Sequence, residues 1–449
     1  MVEYEIVNGH PATVATRLFS PRAVVLLSSL SAALIIILLG YHQSDRLLSY
    51  TVLGQSTYAN TIQNWYPGVS PEQVWISVNE RRLLLRSAHV DLSEAQQVRL
   101  LVHKHCQEER EVECSFYSNF LEYATNVSGT FDLINTPLDG ADCYGKDAYE
   151  AYFLYCPLPS APAQLALLRP TAVTVTASDS DSESLPLPIY YVPKSKSQLA
   201  VCVPPLFTWN DTHYVALFIE YYIRQGADHF LIYNFSSTAD VALLLSDYSR
   251  LGLVDVVQWT EMPVRNNTVQ VTDDPNWSIH YHGQILSMND CLWRLRTRAK
   301  YVVLVDLDEL IVPSDSNITI LDLITKIDQP SIGSIMFLSA FAYVDLPWHD
   351  SNTNRTKNWL SQLVNASAMA VYKDNTIFPP NVRSKVVSKP EAIRKQTVHQ
   401  VWSYVPGYHN RVVESSAALL YHLRPIAMKG QAVKDSVLSD RLKILFEWA

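Results

Sequence analysis

Short apolar runs alternate with amphipathic segments from Gln198 through the middle of the chain. Apolar runs of about four to eight residues are typical of buried strands, whereas apolar residues spaced by three and four indicate helices. The predicted helices are 212–225, 240–251 and 283–298, and the predicted strands are 199–203, 229–235, 253–259 and 301–309. This alternation predicts an α/β domain over 198–449, built on a mostly parallel sheet covered by helices.

A longer apolar segment, 23–41, lies near the start of the chain and contains no charged residue. As a helix it would span about 28 Å, close to the hydrocarbon thickness of a bilayer. Arg17 and Arg22 precede it, which favours a cytosolic tail at 1–22. A cleaved signal peptide is the alternative, although its apolar core is normally shorter. We predict an uncleaved transmembrane signal anchor, followed by a polar membrane stem at 42–74.

Between the stem and Gln198, the chain has two different compositions. The segment 75–157 contains strand-like alternation and four of the six cysteines, so it predicts a small β-rich region held by disulfides. The segment 158–197 is rich in Pro, Ser and Ala and contains the acidic patch 178–184, which predicts a linker. The sequence does not determine which cysteines pair.

Net charge and glycosylation sequons indicate which kind of partner and which cellular compartment to expect. The formal net charge is −9 and no long basic run is present, which argues against nucleic acid as the main partner. Eight Asn-x-Ser/Thr sequons occur, all after residue 41, where chance would give about three. Their excess supports a lumenal location for the body of the protein.

The most informative motif is YVVLVDLDELIVP at 301–313. Its Val-rich run is typical of a strand buried on both faces, and such strands present ligand-binding groups at their carboxyl ends. Asp306, Asp308 and Glu309 would repel one another there unless a divalent cation such as Mg²⁺ or Mn²⁺ bound between them. The alternative is a strand followed by a solvated acidic turn.

Several segments from Gln198 onwards, taken in order, resemble glycosyltransferase family 92. They are CVPPLFTWNDTHYVALFIEYYIRQGADHFLIYN, HGQILSMNDCLWR, VDLDELIVP and SKVVSKPEAI, with His399 and His422 following at fitting positions. The resemblance covers roughly 250 residues, over half of the chain. It implies a GT-A-like, Rossmann-type fold behind the β-rich region and the N-terminal transmembrane helix.

The resemblance also implies a reaction and its partners. The expected reaction moves galactose from UDP-galactose to a glycan acceptor on a glycoprotein or glycolipid, with inversion and with Mn²⁺ bound. The expected location is the Golgi membrane, as a single-pass type II protein with a lumenal catalytic domain.

Particular residues receive roles from the same family pattern. Asp308 would bind the metal directly, Asp306 would meet the metal through water or the donor ribose, and His422 would be the third ligand, with His399 as its alternative. Asp290 and Lys385 are candidate donor-binding residues, although a purely structural or solvated role explains each equally well. The general base for an inverting transfer matches no family motif, and Asp345 is chosen because it follows an apolar stretch.

Two other functions share some of these features. The run VVLVDLDEL also resembles the first motif of haloacid-dehalogenase-type phosphatases, but there the motif ends the first strand of its domain, and no later acidic pair follows here. A lumenal glycan-binding protein with an inactive site is the second alternative. Metal-dependent UDP release from UDP-sugars separates transferase from glycan-binding protein.

Overall fold

A computed structural model describes most of the chain after residue 74. The described residues are 75–78, 82–91, 96–118, 121–134, 149–158, 170–178, 184–191, 197–263, 274–276, 279, 283–344, 371–425 and 432–446. The predicted tail, signal anchor and stem at 1–74 lie outside them, as does Asp345. Within the described part, no helix combines the length and apolar character needed to cross a membrane.

The first eight strands form one sheet in the order β1-β2-β3-β6-β5-β4-β7-β8. Their bounds are β1 Ile76–Val78, β2 Leu83–Asp91, β3 Gln97–His105, β4 Val112–Ser118, β5 Leu121–Leu133, β6 Tyr149–Pro157, β7 Ala172–Ala177 and β8 Leu187–Tyr190. Because β8 also pairs with β2, the sheet closes on itself from β2 round to β8. Two of these strands, β7 and β8, come from the segment predicted as a linker.

Apolar side chains and one disulfide fill the interior of this closed sheet. Leu85, Leu100 and Phe116 are fully buried there. Cys114 of β4 and Cys156 of β6 form a disulfide across the interior, and Cys106 is disulfide-bonded as well. The segment 75–157 thus contributes β1 to β6 and these disulfide-bonded cysteines to a sheet that also includes β7 and β8.

The rest of the described chain contains fourteen strands, five α-helices and a short 3₁₀ turn at Pro390–Ala392. The strands are β9 Ser197–Leu206, β10 His229–Asn234, β11 Val254–Gln258, β12 Ala299–Leu304, β13 Glu309–Pro313, β14 Ile332–Phe337, β15 Ser339–Val344, β16 Val371–Asp374, β17 Lys385–Ser388, β18 Ile393–Gln396, β19 Val401–Tyr404, β20 His409–Val412, β21 Ala418–Pro425 and β22 Ala432–Lys434. The helices are α1 Thr212–Arg224, α2 Ala239–Arg250, α3 Gln284–Leu295, α4 Ile320–Ile327 and α5 Ser436–Phe446. The three helices predicted between 212 and 298 are thus present as α1, α2 and α3.

Seven strands form a mixed sheet in the order β11-β10-β9-β12-β17-β14-β20. The first four pair in parallel, as strand–helix alternation dictates. Beyond them, β17 lies antiparallel to both β12 and β14. A disulfide between Cys202 of β9 and Cys291 of α3 ties one covering helix to the sheet.

A five-stranded sheet in the order β13-β21-β15-β16-β22 completes the fold, beside the hairpin of β18 and β19. Its edge strand β13 is stabilised by α1: the hydroxyl of Tyr221 donates to the Ile311 carbonyl at 2.7 Å, and that of Tyr222 to the Glu309 carbonyl at 3.1 Å. Backbone carbonyls of the edge strand therefore accept hydrogen bonds from helix side chains, where no neighbouring strand supplies donors.

The predicted fold class is wrong. The described chain is mostly β, with antiparallel pairings dominating the closed sheet and most of the five-stranded sheet, so a Rossmann-type, mostly parallel α/β architecture does not describe it. The physical reason is that the parallel pattern ends at β12. Beyond it, β17 enters the seven-stranded sheet antiparallel to both of its neighbours, and three of the four pairings in the five-stranded sheet are antiparallel.

Candidate functional site

The acidic motif forms a tight turn between two sheets. Strand β12 ends at Leu304 in the seven-stranded sheet, and β13 begins at Glu309 in the five-stranded sheet. The Glu309 amide donates to the Asp306 carbonyl at 3.1 Å, and the Asp306 amide donates to Glu309 Oε2 at 2.9 Å. These two bonds fix the turn, so the run 301–313 is two strands rather than the single strand of the prediction.

Asp306 is partly exposed, and both of its carboxylate oxygens accept hydrogen bonds. Its Oδ1 accepts from Gln284 Nε2 at 2.8 Å and its Oδ2 accepts from Lys385 Nζ at 2.8 Å. Gln284 opens α3, and Lys385 begins β17, next to β12 in the sheet. Two separate elements, α3 and β17, therefore determine the orientation of this carboxylate.

Asp308 and His422 meet because β13 pairs antiparallel with β21, with Glu309 opposite His422. The Nε2 atom of His422 lies 2.9 Å from Asp308 Oδ2, and Arg424 Nη1 donates to the same oxygen at 2.7 Å. The backbone of β21 also holds Asp308, whose carbonyl accepts from the Leu423 amide at 2.7 Å.

The electrostatic setting keeps Asp308 ionised. Burial acts to raise the pKa of the Asp308 carboxyl, but the hydrogen bond and charge of His422, followed by Arg424, hold that pKa below its ordinary value. The carboxylate is therefore negatively charged at neutral pH, and 28% of its side-chain surface is exposed.

Glu309 and Lys385 lie beneath this surface. Glu309 is 2% exposed and Lys385 is 1% exposed, and their charged groups approach to 3.2 Å. Burial raises the pKa of the Glu309 carboxyl; Lys385 opposes this rise, and Asp306 and Asp308 add to it. The motif thus contains two partly exposed acids above a buried contact between Glu309 and Lys385.

Basic and aromatic groups border the site. The guanidinium carbons of Arg383 and Arg424 lie 5.4 and 5.5 Å from the ring centre of Phe341, whose centroid is 5.5 Å from that of His422. Arg383 is exposed and has φ +57°, a left-handed conformation that is costly for a side chain of this kind. Arg383 and Arg424 place positive charge beside the exposed carboxylates, where an anionic ligand would be stabilised.

His399 approaches the site from the hairpin of β18 and β19. Its Nδ1 lies 3.3 Å from the Ser384 carbonyl. Burial, followed by the charge of Lys385, lowers the pKa of its imidazole, so the ring is neutral at pH 7. No hydrogen bond within the described part of the chain joins it to Asp308.

Asp290 lies apart from this cluster. Its carboxylate is fully buried at the junction of α3 and the closed sheet, where it accepts from Ser87 Oγ at 2.6 Å, Tyr233 OH at 2.6 Å and Arg294 Nε at 2.7 Å. His89 Nε2 lies 3.2 Å away. The structure therefore gives Asp290 a place in a buried polar network that includes none of Asp306, Asp308 and His422.

The donor atoms at the turn are of the kinds that a divalent cation accepts. Asp308 supplies a carboxylate and His422 an imidazole, and the buried Nδ1 of His422 has no hydrogen-bond partner. Among the described residues, no group of three or more Asp, Glu, His or Cys side chains converges as a preformed metal site. The residues present fit a metal through Asp308 and His422, with the remaining coordination left to ligand or water.

Two functional neighbours, Gln284 and Arg424, were missed by sequence reasoning. Arg424 is two residues beyond His422 on one strand, so strand periodicity already places both side chains on the same face. Gln284 gave no such signal, because its contact with Asp306 depends on how α3 packs against β12.

Known proteins match the part of the chain that contains this site. Residues 197–445 match the family model described as Glycosyltransferase family 92. Glycosyltransferase family 92 protein F55C10.4 of Caenorhabditis elegans is 23% identical over 248 residues, which are 53% of this chain and 44% of the relative. Beta-1,4-galactosyltransferase galt-1 of the same organism is 26% identical over 232 residues, 51% of this chain and 48% of the relative. The chain therefore spans less than half the length of these two relatives.

A solved structure with partial overlap is glucosyl-3-phosphoglycerate synthase from Mycobacterium tuberculosis. It is 14% identical, covers 44% of this chain and 58% of its own, and has a TM-score of 0.22. A score this low carries no argument about the fold or the ligands of this chain.

Proposed function

The chain belongs to glycosyltransferase family 92, and we propose that it transfers galactose from UDP-galactose to a hydroxyl group of a glycan, with inversion and with Mn²⁺ bound. The observation that carries this proposal is the contact of Asp308 with His422, brought about by the pairing of β13 with β21 just after the carboxyl end of β12. The name of the relative galt-1, a β-1,4-galactosyltransferase, supports galactose as the sugar.

Asp308 and His422 are the residues that would hold the metal, and Asp306 would accept a hydroxyl of the donor ribose or a metal-bound water. Bound there, Mn²⁺ would offset the negative charge that develops on the departing diphosphate. Arg383 and Arg424, both beside Phe341, add positive charge near this turn. Because β21 holds His422 and Arg424 and the 306–309 turn holds Asp308, these three groups need little rearrangement during the reaction.

In the proposed transfer, an acceptor oxygen bonds to the anomeric carbon of the donor sugar as the bond from that carbon to the diphosphate breaks. The acceptor hydroxyl proton passes to a general base. Asp345 remains the candidate for that base and lies outside the described residues. The carboxylates of Asp306 and Asp308 are assigned to the donor side, since each already accepts hydrogen bonds from basic or amide groups.

We also propose that the protein is anchored in the Golgi membrane by 23–41, with its catalytic part in the lumen. The disulfides Cys114–Cys156 and Cys202–Cys291 support an oxidising compartment. The eight sequons after the apolar segment support the same side of the membrane.

A donor screen on the full chain tests the function. UDP release from UDP-galactose, UDP-glucose and UDP-N-acetylglucosamine is measured with a glycan acceptor, with Mn²⁺ and with chelator. We expect release with UDP-galactose that depends on both acceptor and Mn²⁺, and a product anomer opposite to that of the donor. Glycan binding without any sugar transfer would contradict the proposal and indicate an inactive glycan-binding protein.

A further inference from the structure

Lys385 is an ammonium group buried under the acidic turn. It is 1% exposed and comes from β17, a strand distant in sequence from the acids it contacts. Its Nζ lies 2.8 Å from Asp306 Oδ2 and 3.2 Å from Glu309 Oε2. Burying an unpaired ammonium is strongly unfavourable, so these two carboxylates are what make its position tenable.

The acidic turn also depends on Lys385. Glu309 is buried, and its charge lies close to those of Asp306 and Asp308 on the same short turn. Without Lys385, two adjacent carboxylates would repel each other in a poorly solvated place. The bond from the Asp306 amide to Glu309 Oε2 closes the turn, so loss of the Lys385 charge would disturb the backbone that aims Asp308.

Lys385 is badly placed to bind a nucleotide diphosphate itself. Its ammonium is engaged by two protein carboxylates and has almost no exposed surface, whereas Asp308 and Arg424 are each about one-third exposed at 28% and 33%. The Lys385 ammonium is therefore not presented to a phosphate group. Direct contact with the donor phosphates is the role that the sequence suggested.

We infer that Lys385 is a positioning residue: it neutralises Asp306 and Glu309 from below, and so holds the 306–309 turn in the form that presents Asp308 and His422 to a divalent cation. The inference rests on the proposed function for the identity of the ligand. Lys385 thereby supplies positive charge that the three neighbouring carboxylates would otherwise require from bound ions.

The test compares full-chain variants by Mn²⁺ titration calorimetry and by thermal unfolding, with UDP added in a second titration. Lys385→Met should weaken Mn²⁺ binding by about 10- to 100-fold, the usual effect of removing a group that orients a metal ligand. The matched control is Lys389→Met, near the same strand, where Nζ pairs with Asp328 at 2.6 Å on a partly exposed surface. The control should bind Mn²⁺ as the wild type does.

A double variant distinguishes positioning from direct contact. Adding Glu309→Gln to Lys385→Met removes the buried charge left unpaired, while the new amide oxygen can still accept from the Asp306 amide. We expect Mn²⁺ affinity to return to within about threefold of wild type and the melting temperature to rise above that of Lys385→Met. This variant also keeps the test decisive if Lys385→Met does not fold.

Three results would overturn the inference: no Mn²⁺ binding by the wild type, no recovery in the double variant, or normal Mn²⁺ affinity with loss of UDP binding alone in Lys385→Met. The last result would show direct contact with the donor. Wild-type protein that binds Mn²⁺ and UDP but transfers no sugar would defeat the proposed function while leaving the positioning role supported.

Discussion

Individual residues in this protein take their roles from burial more than from residue type. Asp290 and Asp308 are both acids, yet Asp290 closes a buried network from the middle of α3, whereas Asp308 is partly exposed at the turn before β13. The family resemblance predicts Asp308 and His422 in one site, and in the structure they lie 2.9 Å apart. The motif at 301–313 could not reveal that Lys385 pairs with Asp306, because that contact joins residues far apart in sequence.

Burial of His103 makes the stability of the fold depend on pH. Burial lowers the pKa of its imidazole to about 3. The unfolded state takes up a proton near the ordinary pKa of about 6.5 while the folded state does not, so stability is lost as pH falls below that value. Between pH 7 and pH 5, His103 should account for about 2 kcal/mol of the fall in unfolding free energy.

Urea unfolding at both pH values measures this effect. His103→Gln should reduce the fall by that amount, whereas His409→Gln, at an exposed position of β20, is the control. An unchanged fall in the His103 variant would contradict the account.

At the scale of elements, α3 connects the two halves of the described chain. It carries Gln284 towards Asp306, Cys291 towards β9, and Asp290 towards Ser87 of the closed sheet. Periodic apolar spacing predicted this helix correctly. The same spacing gave no reason to expect that its buried face includes a charged residue, since Asp290 is stabilised only by partners that the fold brings to it.

Asp290→Asn tests how much this helix depends on its buried charge. Although burial opposes it, the charge of Arg294 and the hydrogen bond of His89 hold the pKa of Asp290 well below its ordinary value, so the native group is an anion. Replacing it by an amide leaves Arg294 without its counter-charge and should cost about 3 kcal/mol or more in unfolding free energy.

The control is Asp240→Asn on the exposed first turn of α2, which should cost well under about 1 kcal/mol. Equal effects of the two substitutions in urea unfolding would contradict this role for Asp290.

For the whole molecule, the site exists because two sheets meet at one turn. The sequence predicted the helices and the parallel strands up to β12, since local periodicity determines them. It did not predict the closure of β8 on β2, or the break of 301–313 into two strands. Both depend on contacts between distant segments, such as the bond from the Asp306 amide to Glu309 and the pairing of β13 with β21.

The central claim is that Asp308 and His422, brought together by β13 and β21, form the reaction centre of a sugar transferase. Its most direct test is the rate of galactose transfer from UDP-galactose with saturating Mn²⁺ for wild type, Asp308→Asn, His422→Gln and the surface control Asp240→Asn. We predict losses of at least about 100-fold for Asp308→Asn and His422→Gln and none for the control, with all variants folded. Transfer by Asp308→Asn at near wild-type rate would contradict the account.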